Sequence, residues 1–92
     1  MIRFVIAYDI RDDRRRLEVF NILKGYATRV QYSVFEAYLS KENMVELRYR
    51  IGKAINEKED SVFIYRLCQS CSEDVERIGI PFVLYGEGDI II

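Results

Sequence analysis

The residues best suited to chemistry lie close to the N-terminus, in the stretch YDIRDDRRR from Tyr8 to Arg16. Three aspartates and four arginines occur within these nine residues, directly after the apolar run IRFVIA. Carboxylates are ligands for hard divalent cations, and arginines bind phosphate oxygens through paired hydrogen bonds. The pattern therefore favours a metal and phosphate site. It equally suits a solvated helix start in which the aspartates neutralise the arginines.

The absence of histidine from the chain restricts the chemistry that such a site supports. With no imidazole as general base, hydrolysis of a phosphodiester at neutral pH would depend on water activated by a metal ion. Asp9 is the one carboxylate expected at a strand end near the arginines. A single carboxylate provides few protein ligands for a magnesium ion. A two-fold dimer that brings two copies of Asp9 together would supply the second.

A strand and a helix must position these residues. IRFVIAYDI alternates like a buried strand, which places Asp9 at its C-terminal end on the less apolar face. A helix should begin at Asp12 or Asp13, with Gly25 near its end. Its apolar positions have helical spacing: Val19, Ile22, Leu23 and Tyr26. Arg15 and Arg16 lie one turn before Val19, so we expect them to point toward the strand's exit.

The segment TRVQYSVFEAYL, residues 28–39, alternates cleanly and is predicted to be one strand. Its polar and aromatic face carries Arg29, Gln31, Ser33 and Phe35. One interpretation is a half-buried dimer face. The functional alternative has Arg29 binding a phosphate, Ser33 donating a hydrogen bond and Phe35 stacking on a base.

The remaining pattern predicts the fold class. Ser40 should cap a second helix with one apolar stripe: Met44, Leu47, Ile51 and Ile55. DSVFIYRL, residues 60–67, is predicted to be a strand, and the apolar tail ends in DIII at residues 89–92. The order βαββα followed by strands predicts a single ferredoxin-like α+β sandwich over residues 1–92. Both helices would cover one face of the sheet, leaving the other face for dimerisation or binding.

Length and charge narrow the function further. The 92 residues have a net charge of −1, but residues 1–35 carry seven basic against four acidic side chains. Binding to phosphate needs only such a local basic surface. No apolar run approaches the ~20 residues of a membrane span, and the first ten residues lack signal-peptide features. We therefore expect a cytoplasmic protein without membrane contact.

The two cysteines form one CxxC motif, Cys68 to Cys71. A zinc site would need two further ligands, and a thioredoxin-like motif should lead into a helix. The following SEDVERIG is too short and polar to predict one. The motif is therefore interpreted as a structural turn with reduced thiols.

Three pieces of the sequence together resemble the small CRISPR-associated adaptation proteins, family two in the CRISPR-associated numbering. They are YDIRDDRRR at the first strand exit, TRVQYSVFEAYL in the second strand and VFIYRLCQSC before the CxxC turn. The resemblance covers essentially the whole chain. It implies a ferredoxin-like homodimer whose C-terminal segment, residues 82–92 here, pairs with the partner's sheet.

The resemblance also implies roles for individual residues. The family's metal-site carboxylate ends the first strand, which assigns Asp9 as the catalytic residue and magnesium ligand at the two-fold. Other residues match motif positions that bind nucleic acid or support the site: Tyr8, Arg15, Arg16, Arg29, Ser33 and Phe35.

Two kinds of function follow from the resemblance. Members have been described as magnesium-dependent endonucleases on single-stranded RNA or duplex DNA, and as the central dimer that bridges two integrase dimers during spacer acquisition. We therefore expect a homodimer that partners the CRISPR integrase subunit and nucleic acid. The alternatives are a non-catalytic DNA-binding scaffold, or a toxin-like ribonuclease encoded outside any CRISPR locus.

Overall fold

The computed structural model describes residues 1–79. Along these residues the elements follow one another in this order: β1 (Ile2–Asp9), α1 (Asp13–Lys24), β2 (Ala27–Gln31), β3 (Val34–Leu39), α2 (Lys41–Ala54), β4 (Ser61–Leu67) and α3 (Gln69–Glu73). The strands form one sheet in the order β2-β3-β1-β4, and all neighbours are antiparallel. This βαββαβ arrangement confirms the predicted ferredoxin-like α+β fold.

One face of the sheet and the two long helices enclose the core. In β1 the buried residues are every second one, because alternate side chains of a strand point to the same face. The core consists of residues from the sheet, α1 and α2, with Ile10 from the connection after β1: Phe4, Ile6, Tyr8, Ile10, Val19, Phe20, Leu23, Phe35, Ala37, Leu39, Met44, Leu47, Ile51 and Ala54. Strand β1 therefore lies between two partner strands and against the apolar layer, which fixes its C-terminal end.

Both long helices begin where the sequence predicts. The Asp12 carboxylate accepts a hydrogen bond from the Arg15 N–H at 2.9 Å, and this bond lowers the pKa of Asp12. The Ser40 hydroxyl accepts one from the Asn43 N–H at 3.1 Å. Each cap satisfies an N–H group that has no partner within its helix.

The predicted single strand over residues 28–39 is wrong, because the segment is a β-hairpin. Strands β2 and β3 pair antiparallel, with Arg29 opposite Phe35, and residues Tyr32 and Ser33 form the turn. Opposite residues in a pair share a face, so Arg29 and Phe35 lie on one face, as the alternation indicated. That face is the core side, and not the dimer or nucleic-acid face that the sequence predicted. The alternation continues through the turn, and no glycine, proline or asparagine marks it.

The other face of the sheet carries exposed aromatic side chains: Tyr38, Phe63 and Tyr65 are 55–62% exposed. The chain after β4 lies over part of this face. There the Arg3 guanidinium donates to the Ser72 carbonyl and hydroxyl oxygens at 3.1 Å, and Arg77 forms an ion pair with Glu36. The predicted strand pairing of residues 82–92, including DIII, lies outside the described residues.

Helix α3 was not predicted. It begins directly after Cys68, so the CxxC motif spans a helix start. Along residues 1–79, no helix is both long enough and apolar enough to cross a membrane.

The tight packing around Phe35 predicts a large stability loss on truncation. Phe35 has no exposed surface and contacts the rings of Tyr8 and Phe20, with ring centroids 6.2 and 5.8 Å away. We expect Phe35→Ala to lower the free energy of unfolding by about 3–5 kcal/mol, because the substitution leaves a cavity. Urea unfolding at one fixed protein concentration measures this loss. The exposed Tyr49 gives the control, since Tyr49→Ala should change stability by less than about 1 kcal/mol. Similar losses for both variants would contradict the assigned core.

Candidate metal and nucleic-acid site at the end of strand β1

Asp9 is the last residue of β1, and its side chain is exposed. Its backbone pairs with Ser61 of β4, so the end of a central strand holds it in place. Within residues 1–79, no hydrogen bond or ion pair engages the Asp9 carboxylate. The other carboxylates nearby are all bonded: Asp12 caps α1, Asp13 pairs with Arg16, and Asp60 is enclosed by donors. Asp9 is therefore the carboxylate available for an external ligand.

Asp60, immediately before β4, holds the connection that follows Asp9. Its side chain has no exposed surface, and it accepts hydrogen bonds from the Arg11 N–H at 3.0 Å and the Asn56 N–H at 2.9 Å. The Arg15 guanidinium donates to the same carboxylate from Nε at 2.7 Å and from Nη2 at 3.1 Å. These contacts join the β1–α1 connection, α1 and the turn before β4.

The Asp60 and Arg15 pair shifts both ionisation equilibria toward the charged forms. The Arg15 hydrogen bond is the main cause that holds the pKa of Asp60 well below its usual range, and the two backbone N–H groups act in the same direction. The pKa of Arg15 is raised, chiefly by Asp60 and to a smaller extent by Glu59. Arg15 is thus ion-paired within the protein.

Arg16 lies at the end of β1, as predicted, and its guanidinium also has partners within the protein. Its Nη1 donates to the Ile10 carbonyl oxygen at 2.9 Å, and its other terminal nitrogen pairs with Asp13. These contacts fit the helix-start interpretation of the charge cluster, and the metal and phosphate site stays a prediction. Asp12, Asp13 and Asp60 stabilise the start of α1 and its arginines, while Asp9 stays accessible.

Tyr8, Arg29, Ser33 and Phe35 meet on the other side of β1, at the end of the β2–β3 hairpin. The Tyr8 N–H donates to the Ser33 carbonyl oxygen at 3.0 Å, and burial raises the pKa of the Tyr8 hydroxyl. Arg29 is buried and donates to the Tyr32 carbonyl oxygen from Nε at 3.2 Å and from Nη2 at 2.9 Å. Its guanidinium also lies 5.0 Å from the centroid of the Phe20 ring.

Through these contacts the hairpin residues Arg29, Ser33 and Phe35 stabilise the end of β1. Phe35 is wholly inside the core of the protomer, so its ring cannot stack on a base. Ser33 binds Tyr8 through its carbonyl group and not through its hydroxyl. A phosphate contact by Arg29 stays a prediction.

Sequence reasoning passed over three residues that the structure makes prominent. Arg11 and Arg14 are exposed in the first turn after β1, and no ion pair engages either of them within the described chain. Both belong to the run of charges, and their place in that run was the available signal. Asp60 had no local signal, because its role depends on partners 45 and 49 residues away in sequence.

The described part of one protomer does not supply a complete metal site. Along residues 1–79 there is no group of three or more histidine, cysteine, aspartate or glutamate side chains that could share an ion. Asp60 is unavailable, since protein donors surround it. The donor set at this strand end is thus one carboxylate, and magnesium is usually bound through one or two carboxylates together with water.

Comparison with known proteins gives the family. The model of the family described as CRISPR associated protein Cas2 matches residues 1–75. A relative from Synechocystis sp., named CRISPR-associated endoribonuclease Cas2 3, is 44% identical over 92 residues, covering all of both chains. The match defines the class of protein, which is a small CRISPR-associated protein. The chain belongs to the CRISPR-associated protein Cas2 family.

Solved structures agree with this assignment. The crystal structure of Streptococcus pyogenes Cas2 at pH 6.5 is similar with a TM-score of 0.74 and 29% identity, covering 84% of this chain and 99% of that one. A chain from a partial Cas6-RT-Cas1–Cas2 complex is similar with a TM-score of 0.72 and 28% identity, covering 89% of this chain and 97% of that one.

The contacts of Asp60 predict a pH-dependent contribution to stability. A carboxyl group whose pKa is lower in the folded chain stabilises the fold above its unfolded pKa, and this contribution is lost as the pH falls toward the folded pKa. We expect Asp60→Asn to lower the Tm at pH 7 by roughly 5 °C or more, since it removes the charge that partners Arg15. The difference from wild type should narrow below about pH 4.

Thermal unfolding followed by circular dichroism between pH 7 and about pH 3 measures this effect. Glu59→Gln is the matched control, because Glu59 accepts a bond from Arg15 at 3.1 Å but its side chain is 57% exposed. Its Tm should stay close to that of wild type. A Tm difference for Asp60→Asn that does not vary with pH would contradict the ionised, paired state of Asp60.

Proposed function

We propose that this protein is a nucleic-acid-binding subunit of a CRISPR spacer-acquisition complex in the cytoplasm, and that it is also a magnesium-dependent endonuclease. The observation that carries the proposal is the Asp9 carboxylate, exposed at the end of β1 and unengaged among residues 1–79. The Synechocystis relative is named an endoribonuclease, and a similar chain occurs in a complex with Cas1. Both names support the proposal.

The metal site requires a homodimer. Two copies of Asp9 about a two-fold axis would provide two carboxylates, a set that magnesium accepts together with water. The exposed aromatic face of the sheet, with Tyr38, Phe63 and Tyr65, is the surface that we assign to dimerisation. A bound magnesium ion would supply Lewis-acid activation of water and of the phosphate.

The residues of this chain supply binding and orientation. Asp9 would hold the ion, and the backbone pairing of Asp9 with Ser61 keeps that carboxylate at the end of the central strand β1. Arg11 and Arg14, both exposed, are the side chains we assign to phosphate contact. The residues with partners inside the protein support the site: Tyr8, Arg15, Arg16 and Arg29.

The role of Asp9 is tested with purified wild-type protein and Asp9→Asn on labelled single-stranded RNA and duplex DNA, with magnesium or with chelator. We expect Asp9→Asn to reduce magnesium-dependent cleavage by at least about 100-fold, since it removes the charge that would hold the ion. Glu57→Gln is the control, because Glu57 is an exposed carboxylate in the turn before β4. It should retain wild-type cleavage.

The outcomes of this experiment separate the possible functions. Cleavage that persists in Asp9→Asn would point to a contaminating nuclease and contradict the proposed site. Absence of cleavage by wild-type protein, with duplex binding intact in both proteins, would leave the scaffold as the function.

A non-catalytic scaffold is the second candidate, and a specific observation favours it. Arg15 and Arg16 are bonded to protein acceptors, and within residues 1–79 one protomer offers a single open carboxylate near them. In this function the dimer would bridge integrase subunits and bind duplex DNA through phosphate contacts alone. Affinity would then depend steeply on salt.

Salt dependence tests the phosphate contacts of either function. In Arg11→Gln and in Arg14→Gln, the slope of log affinity for duplex DNA against log salt should fall by about 0.9 for each phosphate that the substituted arginine would neutralise. Fluorescence anisotropy titrations at several salt concentrations measure this slope. Lys41→Gln is the control, because Lys41 follows β3 at the opposite end of the sheet from Asp9. Unchanged slopes in both arginine variants would contradict the assignment of Arg11 and Arg14 to phosphate contact.

A further inference from the structure

The CxxC turn at the end of β4 is a second chemically distinctive feature, remote from Asp9. Leu67, the last residue of β4, pairs with Arg3 near the start of β1, whereas Asp9 pairs with the first residue of β4. The turn therefore lies at the opposite end of the sheet. Both thiols are free and exposed.

The backbone and side chains of the turn converge on the sulfur of Cys68. Cys68 caps α3, and its Sγ accepts a hydrogen bond from the Cys71 N–H at 3.5 Å. The Ser70 hydroxyl lies 3.4 Å from the same sulfur. Donors of this kind stabilise a thiolate more than a thiol.

The two cysteines are consequently unequal. The Ser70 hydroxyl, followed by the Cys71 N–H and thiol, lowers the pKa of Cys68 to about 7, while the bond to Cys68 raises the pKa of Cys71. Two charged side chains near the motif have other partners. Glu73 accepts from Gln69, and Arg3 is bonded to Ser72 and Glu36.

We propose that Cys68 and Cys71 form a thiol–disulfide exchange site for low-molecular-weight disulfides of the glutathione class, in which Cys68 is the attacking thiol and Cys71 the resolving thiol. An exposed thiol with a second exposed thiol in the same helical turn, whose backbone N–H donates to the first sulfur, is an arrangement suited to such exchange. This inference does not rest on the proposed nuclease or scaffold function.

The reaction balances in two steps. The Cys68 thiolate attacks one sulfur of the small disulfide, whose S–S bond breaks, and the leaving thiolate takes a proton from solvent. Cys71 then gives up its proton and attacks the Cys68 sulfur of the mixed disulfide, which releases the second small thiol. The net change oxidises two protein thiols to one disulfide and reduces one small disulfide to two thiols.

The exchange would act on the segment that covers part of the open sheet face. Helix α3 follows Cys68 directly, and Arg3 of β1 donates to the Ser72 carbonyl and hydroxyl oxygens at 3.1 Å. A disulfide between Cys68 and Cys71 would span the first turn of α3. The redox-sensitive pair would therefore lie in the segment that covers part of the open sheet face.

The direct test treats the full-length folded protein with oxidised glutathione near pH 7.5 and follows intact mass over time. We expect wild type to lose two hydrogen atoms and to retain no glutathione. Cys71→Ser should accumulate one bound glutathione, because the resolving thiol is absent. Cys68→Ser should react at least about fivefold more slowly, since its thiol is less ionised. Wild type that retains glutathione, or equal rates in the two variants, would overturn the proposal.

A second measurement separates reactivity from folding. The midpoint of the alkylation rate by iodoacetamide, measured against pH, should be lower in Cys71→Ser than in Cys68→Ser, because Cys71→Ser retains the Ser70 hydroxyl and the backbone N–H beside the Cys68 sulfur. In Cys68→Ser the midpoint should lie above about pH 8. Circular dichroism spectra that match wild type establish that both variants are folded. A midpoint for Cys71→Ser as high as that of Cys68→Ser would overturn the assignment of Cys68 as the attacking thiol.

Discussion

The buried carboxylate of Asp60 is the group on which the candidate site depends. It binds the Arg11 N–H, the Asn56 N–H and the Arg15 guanidinium, so three separate segments converge on it. A buried charge is tolerated only when hydrogen bonds and an opposite charge compensate its loss of water. Because Asp60 precedes Ser61, which pairs with Asp9, the same contacts fix the direction in which the chain leaves β1.

That constraint divides the charges of the β1–α1 connection into two groups. Arginines in the first turn of a helix oppose its dipole, and here the acidic partners of Arg15 and Arg16 offset the repulsion. These side chains stabilise the protein and orient its loops. Asp9, Arg11 and Arg14 remain exposed, and the proposed metal and phosphate contacts are assigned to them.

The two ends of the sheet have different chemistry. One end presents oxygen ligands and guanidinium groups, which suit hard cations and phosphates. The other end presents a pair of thiols at the start of α3, where Cys68 is the more acidic. The exposed aromatic face lies between them, so a partner bound on this face would be close to both ends.

The local pattern of the sequence determined much of this protein. Alternation placed Phe4, Ile6 and Tyr8 in the core and Asp9 at the exposed strand end, and the caps Asp12 and Ser40 were identified correctly, because these features depend on neighbouring residues. The family resemblance also followed from short motifs. The ligand-facing roles assigned to Arg15, Arg16 and Arg29 stay predictions, and all three side chains have partners within the protein.

Only the tertiary structure decided how the charges are used. Pairing of β2 with β3 turned one predicted strand into a hairpin and buried Arg29 beside Phe20, and no glycine, proline or asparagine marks that turn. Asp60 became the partner of Arg15 across 45 residues of sequence. Strand alternation and helix caps are set by residues a few positions apart, whereas ion pairs and hairpin register depend on which distant segments the fold brings into contact.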